Sequence, residues 1–290
     1  MKISVVVASY NYASYLEETI KSVINQTYSD WELIIVDDGS TDNSVEIINR
    51  YCLEDDRIKL YIHENHENKG LKETLLLGIS KSSADWIAFL ESDDLWREDY
   101  LEKKVNIINQ YSDVGLIFNS VEFFGEEKII LNYQKTFKDI IKKTEQNTYP
   151  CNIFKNFNVK NPILTFSSVM IKKDLLKPEY FDTTVDKLLD WWLYIHITYD
   201  TDVYYMKEKL TNWRIHKNSY INNKSKSKFR MVQIDAYKDV LKNHPKEKML
   251  RFFIYYSFIL NIPVKLFILR IKIIREIKNR LGLPLKDSLF

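Results

Sequence analysis

The strongest constraint on the fold is an alternation in the first 111 residues: strand-length apolar runs trade places four times with stretches of helical spacing. Ile3 to Ala8 is an apolar, largely β-branched run, as expected of a strand buried on both faces. Leu16, Ile20, Val23 and Ile24 follow at helical spacing, and Ser14 with Glu17 three residues on predicts a capping box. Leu33–Val36, Ile58–Ile62 and Trp86–Leu90 read as further strands. Val45–Tyr51, Leu71–Ser80 and Arg97–Tyr111 read as the helices between and after them. Such an order predicts an α/β domain with a mostly parallel sheet and right-handed crossovers.

Two of these strands run out into paired carboxylates, Asp37-Asp38 and Asp93-Asp94. In an open α/β sheet the carboxyl ends of the strands are where ligands bind. Adjacent carboxylates repel unless a cation neutralises them. Magnesium-type ions are held by one or two carboxylates plus substrate phosphates. A single pair has a plainer explanation, since Ser92 or Asp94 could cap the helix that follows. Two pairs on one sheet edge favour a metal–diphosphate site. The chain has only six glycines and carries neither G-x-x-x-x-G-K-[ST] nor G-x-G-x-x-G, so a backbone phosphate cradle is not indicated. His63 and His66 are three apart but have no nearby Cys or third His, and read as a polar loop.

At 290 residues the chain exceeds a minimal domain and suits one large α/β domain with an appendage. Its net charge of +2 gives no indication of nucleic acid, but the charge is uneven. From Lys246 onward there are ten Lys/Arg against three Asp/Glu, net +7, and the preceding residues hold 32 against 37, net −5. Two cysteines, Cys52 and Cys151, make no disulfide framework and fit a reducing cytosol. The apolar start, Met1 to Val7, is too short for a signal peptide and reads as the first strand. Beyond residue 112, Val114–Phe118, Val121–Phe124, Leu164–Ile171 and Asp202–Met206 read as strands, while Lys128–Lys160 is ambiguous. Residues 229–290 are helical by periodicity. There Phe252–Leu269 is apolar but interrupted by Asn261, Pro263 and Lys265, and is followed by a run of cations. That pattern fits an interfacial basic amphipathic helix better than a spanning one; a helix packed on the main domain is the other reading.

Three segments carry a family resemblance: Ser4-Val5-Val6-Val7-Ala8-Ser9-Tyr10-Asn11, then Gln26-Thr27-Tyr28-Ser29-Asp30-Trp31-Glu32-Leu33-Ile34-Ile35-Val36-Asp37-Asp38-Gly39-Ser40-Thr41-Asp42, then Ser92-Asp93-Asp94. Together they resemble the family 2 (inverting) glycosyltransferases of the GT-A fold. The resemblance is strong over about residues 1–125 and weaker over 160–220. It implies a Rossmann-like, mostly parallel sheet flanked by helices, with the helical C-terminal part as an extension. By position it implies a nucleotide-sugar site at Ala8, Ser9, Tyr10 and Asp38, with Asp93 beside the diphosphate and Asp94 as direct ligand of a divalent cation, Mn or Mg. The segment Tyr180-Phe181-Asp182 … Leu189-Asp190-Trp191-Trp192-Leu193 resembles the family's base-bearing segment, which makes Asp190 the expected catalytic base. A carboxylate among Trp and Leu side chains holds a proton more readily than an exposed one, which suits a base; the plainer alternative is an amphipathic helix with Asp190 facing solvent and both Trp in the core. Trp191 or Trp192 could stack on an acceptor sugar. Arg214 and His216 resemble the family's Arg-x-His, implying a charge clamp and a metal or diphosphate ligand. Two positions depart from the pattern. Leu189 stands where an acid often precedes the base, and Leu75-Leu76 stand where an Arg-Asn pair often follows the N-x-G turn, here Asn68-Lys69-Gly70. Lys69 or Lys72 is then expected to supply the missing cation.

The expectation is therefore a catalytic domain over 1–220 and a basic, apolar extension over 229–290. The domain would move a sugar from a nucleoside diphosphate sugar, with uridine as first choice, to a hydroxyl of a glycan or lipid-linked acceptor. The extension would attach it peripherally to the cytoplasmic face of a membrane. The two departures also permit a catalytically silent nucleotide-sugar-binding scaffold, and a nucleotidyltransferase can share the architecture without needing Asp190.

Overall fold

The computed structural model describes residues 1–154, 161–183 and 188–217, with residues 235, 236, 238–240, 242 and 280 beyond them. The chain divides into two compact units, Met1–Asn223 and Lys224–Phe290. The expectations for Phe252–Leu269 and its cationic flank lie outside the described residues. Among the described residues no helix is long and apolar enough to cross a membrane.

The first unit is built on an eight-stranded sheet in the order β3-β2-β1-β4-β7-β6-β8-β5. Its strands are β1 (Ile3–Ser9), β2 (Trp31–Asp37), β3 (Ile58–Ile62), β4 (Trp86–Phe89), β5 (Leu95–Trp96), β6 (Val114–Gly125), β7 (Val169–Lys172) and β8 (Asp202–Ile215). The helices are α1 (Ala13–Ile24), α2 (Ser44–Glu54), α3 (Gly70–Lys81), α4 (Tyr100–Gln110), α5 (Glu127–Glu145) and α6 (Leu189–Asp200). β1 lies between β2 and β4, parallel to both, and β2 is parallel to β3. This is the βαβ half that the alternation predicts. In the other half β7 runs antiparallel to β4 and β6, β6 and β8 are parallel, and β5 is antiparallel to β8. Register places Ser9 beside Asp37, while Val6 pairs with Phe89, so the Asp-Asp pairs after β2 and β4 emerge on one edge, either side of β1.

The core follows the periodicities. Leu16, Ile20 and Val23 of α1 close over Ile3, Val5 and Val7 of β1 and Leu33 and Ile35 of β2. Each such side chain, fully removed from water, contributes roughly 1.5–3 kcal/mol. α6 is buried nearly all round, from Trp191 to Thr198, as its continuous apolar sequence requires. Lys104 is the exception to the chemistry of the core. It has no exposed surface, and burial pushes its ammonium well below the usual lysine range. Its Nζ donates to Ile117 O at 3.1 Å and Ser168 O at 2.8 Å, and it sits 4.5 Å from the Tyr100 ring centroid. Lys104 thereby ties α4 to β6 and to the turn before β7.

Several local expectations need correction. The Ser14–Glu17 capping box does not form: α1 begins at Ala13, whose N–H donates to Asp42 Oδ2 at 3.0 Å, and Glu17 turns instead to Lys21 and Arg50. α4 starts at Tyr100 rather than Arg97, because Leu95–Trp96 is taken up as a strand against β8. The two short strands expected over 114–124 are one long strand with register shifts near Ser120. Leu164–Ile171 is a strand only from Val169, after a 3-10 turn at Phe166–Ser168.

Glu32 on β2 joins three segments: it accepts from Lys2 Nζ at 2.9 Å, Ser4 Oγ at 2.6 Å and Ser83 N at 2.7 Å. Partial burial would raise its carboxyl, but these donors outweigh it and hold the pKa at about 2. A folded-state pKa below the unfolded value contributes stability that is present above the unfolded pKa, about 4.3, and is lost as pH falls towards 2. Glu32→Gln should therefore lower the midpoint of urea unfolding at pH 7 and leave it close to the unsubstituted protein's near pH 2. An equal deficit at both pH values would contradict this.

Candidate active site

The site lies along the sheet edge where β1, β2 and β4 end, and β8 returns to it from the other half. At the β2 side, Asp37 is fully buried and accepts from Ser40 N at 2.8 Å, Ser40 Oγ at 2.5 Å and His66 Nε2 at 3.0 Å. Asp38 is 5% exposed and accepts from Lys69 N at 2.7 Å and Gly70 N at 3.0 Å, with His63 Nε2 at 3.5 Å. The Asp38 carboxylate thus meets the amino end of α3, where backbone N–H groups lack helical partners and a negative charge is favoured. His63 and His66 are accounted for by these contacts and by Thr74 Oγ1, 3.1 Å from His63. Gly39, at φ +79°, lies so close to the backbone of His66 and Asn68 that an added Cβ would come within 2.8–2.9 Å of it. The turn after β2 and the loop before α3 therefore form one packed wall.

The loop after β1 supplies the middle of the edge. Ala8 is partly exposed, Ser9 is buried with its Oγ unpartnered in the structure, and Tyr10 is 45% exposed. Asn11 adopts φ 55° and is bound on both sides, its N–H donating to Ser40 Oγ and its Oδ1 accepting from Thr41 N at 2.8 Å. Tyr12 continues toward the second acid pair. Burial first, and then the charges of Asp93 and Glu91, push its phenol far above the ordinary range.

Beyond β4, Glu91, Asp93 and Asp94 bring one carboxylate oxygen each within 4.8 Å of one another. Asp94 has no exposed surface. Its Oδ2 accepts from Ser167 Oγ at 2.6 Å and its Oδ1 from Arg214 N at 2.8 Å. Even so, burial and the neighbouring Asp93 and Glu91 charges push its carboxyl well above the usual range. Asp94 does not cap α4, which begins six residues later, so the simpler explanation of the pair fails. Thr165 Oγ1 donates to Glu91 Oε2 at 2.9 Å, and Thr19 Oγ1 donates to the carbonyls of Ser92 and Asp94 at 3.1 and 3.0 Å. Three crowded carboxylates, one of them dry, could hold a hard divalent cation.

Arg214 and His216 come to this cluster from the end of β8. His216 Nε2 is 2.9 Å from Asp93 Oδ2. Arg214 Nε donates to Asp93 O at 2.8 Å and its Nη2 meets Glu18 Oε2 at 2.5 Å. Its guanidinium lies between the Tyr15 and Phe124 rings, 4.7 and 4.4 Å from their centroids. The structure thus brings Asp93, Asp94, Arg214 and His216 together. Lys69 lies at the other end of the edge, its N–H on Asp38 and its side chain exposed.

Asp190 sits half-buried in the first turn of α6. Trp191 and Trp192 beside it are 8% and 6% exposed, and the Trp192 indole donates to Tyr180 O at 2.8 Å while packing on His196. The stacking role expected of these rings has no open ring face to rest on here. Leu75 is buried in the core face of α3, which makes it a packing residue.

Sequence reasoning missed Glu91, Thr19, Thr165 and Ser167. Glu91 was legible as a third acid two positions before Asp93. The hydroxyls were not, because their role depends on contacts 73 to 75 residues away.

The chain matches the family described as Glycosyl transferase family 2 over residues 4–177, and it belongs to that family. Among its relatives, the putative teichuronic acid biosynthesis glycosyltransferase TuaG of Bacillus subtilis is 30% identical over 228 residues, 78% of this chain and 83% of that protein. An uncharacterized glycosyltransferase of Haemophilus influenzae is 43% identical over 108 residues, but the match spans only 37% of this chain and 42% of that protein. Among solved structures, residues 1–349 of TarS from S. aureus, in complex with UDP, superimpose with a TM-score of 0.60 at 16% identity, covering 92% of this chain and 77% of that one. A mannosyltransferase from Pyrobaculum calidifontis, in complex with GDP-Man and Mn2+, gives 0.56 at 17% identity, covering 83% and 64%. At such identities the likeness is one of fold, and the fold is that of the GT-A glycosyltransferases.

The Ser167 hydroxyl is the tightest contact of the buried Asp94 carboxylate and also accepts from Glu91 N at 3.0 Å. Hydrogen bonds to charged groups contribute roughly 1.5–3 kcal/mol. Ser167→Ala should lose stability on that scale in urea unfolding, and Ser167→Thr should recover part of it. A loss within about 0.5 kcal/mol, the range of a neutral surface change, would mean that the Arg214 N–H and the Thr165 hydroxyl suffice to hold Asp94.

Proposed function

We propose that the chain transfers a sugar, with inversion, from a UDP-sugar to a hydroxyl of a glycan or lipid-linked acceptor, using a divalent cation, Mn or Mg. The observation that carries this reading is the Glu91–Asp93–Asp94 cluster on the ligand-binding edge of a family 2 fold. Asp94, with Asp93 and His216 beside it, would hold the cation, and the cation would offset the charge that develops on the departing diphosphate. Arg214, permanently charged and fixed between two rings, adds positive potential at the same end. Ala8, Ser9, Tyr10 and the Asp38 turn with Lys69 would receive the nucleoside. Asp190 would take the acceptor proton as its oxygen attacks the anomeric carbon, and the diphosphate leaves from the opposite face. The uridine assignment is supported by the UDP complex of TarS, and the cation by the Mn2+ of the mannosyltransferase. A glycan acceptor is in keeping with the relative named for teichuronic acid biosynthesis. Attachment of the basic C-terminal residues to the cytoplasmic face of a membrane would place the site near a lipid-linked acceptor; vesicle pelleting that falls at high salt would support it.

The test is nucleotide release from a panel of UDP- and GDP-sugars, with and without manganese. Asp94→Ala should abolish turnover and the manganese-dependent rise in melting temperature given by UDP, while the apo protein stays folded. Full turnover of the unsubstituted protein in chelator would remove the cation from the reading. Asp190→Asn keeps the shape but cannot accept a proton, so turnover should fall by at least about a hundredfold. Nucleotide binding should barely change. Loss of binding at an unchanged rate per bound donor would make Asp190 a binding residue. UDP should stabilise the protein more than GDP or ADP at equal concentration, and equal stabilisation would refute the uridine assignment.

A further inference from the structure

We propose that Tyr194 is a positioning residue for the transfer reaction: its hydroxyl is a buried donor kept for the Asp190 carboxylate, and it fixes that carboxylate relative to the Asp94 arm of the site. The inference rests on the reading of Asp190 as the base. Tyr194 lies one turn after Asp190 on α6, and residues four apart share a helix face. Helical side chains lean toward the amino end, so a long side chain at 194 reaches over the turn that carries 190. The Tyr194 ring has no exposed surface and packs on Phe166, with centroids 5.6 Å apart. Phe166 belongs to the turn whose Thr165 and Ser167 hold Glu91 and Asp94. Tyr194 thus joins the helix of the base to the turn that grips the acid cluster.

The hydroxyl is what calls for an explanation. It is buried and has no hydrogen-bond partner in the structure. A buried polar group left unpaired costs free energy that a phenylalanine of the same shape would avoid. Asp190 on α6, Glu91 after β4 and Tyr100 on α4 are the titratable groups near enough for their charge to act on it. Burial first, and then these neighbours with Asp190 foremost, push the phenol well above its ordinary range, so it remains a donor throughout neutral pH. An O–H in that position has a carboxylate to serve. Closing the bond would draw the Asp190 carboxylate toward the acid cluster and set the distance between base and cation, with no bond made or broken at Tyr194 itself.

The experiment uses the full chain and nucleotide release from the most active donor of the UDP- and GDP-sugar panel, with water or added acceptor. Tyr194→Phe should lower kcat about tenfold, the effect of one well-placed hydrogen bond, with KM for the donor unchanged within twofold. Its melting temperature should be equal or higher, since an unpaired hydroxyl has been removed. If Tyr194 acts through Asp190, Tyr194→Phe combined with Asp190→Asn should be no slower than Asp190→Asn alone. A Tyr194→Phe variant with unchanged kcat overturns the inference. So does one whose kcat and melting temperature fall together, which would mark a packing role, or a double variant slower than Asp190→Asn by the full factor of Tyr194→Phe. If Asp190→Asn keeps full turnover, the base reading fails and the inference fails with it. If Asp190→Asn is dead and Tyr194→Phe is unimpaired, only the inference fails.

Discussion

The buried carboxylate of Asp94 is the joint on which the site depends. It receives the Ser167 hydroxyl from the turn before β7 and the Arg214 N–H from the end of β8, and its own carbonyl takes the Thr19 hydroxyl of α1. Segments far apart in sequence are thereby fixed around one charge. The arrangement is costly by itself. Burial and two neighbouring acids disfavour ionisation of Asp94, and two hydrogen bonds do not offset them. A buried carboxyl whose proton affinity is perturbed in this way, on a ligand-binding edge, marks a candidate functional site. Below it, Lys104 clamps the Ser168 carbonyl from the core side, so the turn that grips Asp94 is itself held. The amine carries no exposed surface and its charge is disfavoured, so its service to the fold is as a hydrogen-bond donor to two carbonyls.

The fold's first half was legible because its signals are local. β1 to β4 announce themselves as apolar runs, α1 and α2 as apolar stripes, and the parallel order follows from their alternation. The pairing of the two acid pairs on one edge was legible for the same reason, since parallel strands must end on the same side. The second half was less so. β7 and β5 are four and two residues long, and they enter antiparallel, a direction that strand-length patterns do not encode. The expected cap misled because α1 begins at Ala13, which puts Ser14 inside the helix rather than at its end. Glu17 bonds Lys21 and Arg50, and Asp42 takes over the amino end of α1. Ser167 and Thr165 could not be read as site residues, because in sequence they are unremarkable members of an apolar run.

The Leu75-Leu76 departure acquires a physical meaning from α3. Leu75 is 3% exposed and lies on the face that packs toward β1 and β2, with Thr74, Gly78 and Ile79. A cation there would be buried without a partner of opposite charge among its neighbours on that face, which costs several kcal/mol. The helix in this chain therefore serves the wall at the β2 end through its amino terminus rather than through a basic side chain. The N–H groups of Lys69 and Gly70, at its start, bind Asp38, and the Lys69 side chain projects from the same turn. The positive end of α3 and the exposed Lys69 are the electropositive features that this side of the edge retains.

The two ends of the edge differ in who satisfies their carboxylates. At the β2 end, Asp37 and Asp38 are saturated by Ser40, His66, Lys69 N and Gly70 N, so their charge is spent on shaping a turn. Removing either should first deform the loop between β3 and α3, which Gly39 packs against without room for a Cβ. At the β4 end three acids crowd together, with Asp94 fully buried among them. His216 shares its contact with Asp93, and Arg214 spends its Nε on a carbonyl and its Nη2 on Glu18. A cation held there, as proposed, would have to displace the proton that burial favours on Asp94, so its affinity would fall as pH drops. On the function proposed above, the two ends would divide the work by their hydrogen bonding: a preformed wall, whose carboxylates the chain already satisfies, for an uncharged nucleoside on one side, and on the other an acid cluster that would take a cation and a diphosphate together.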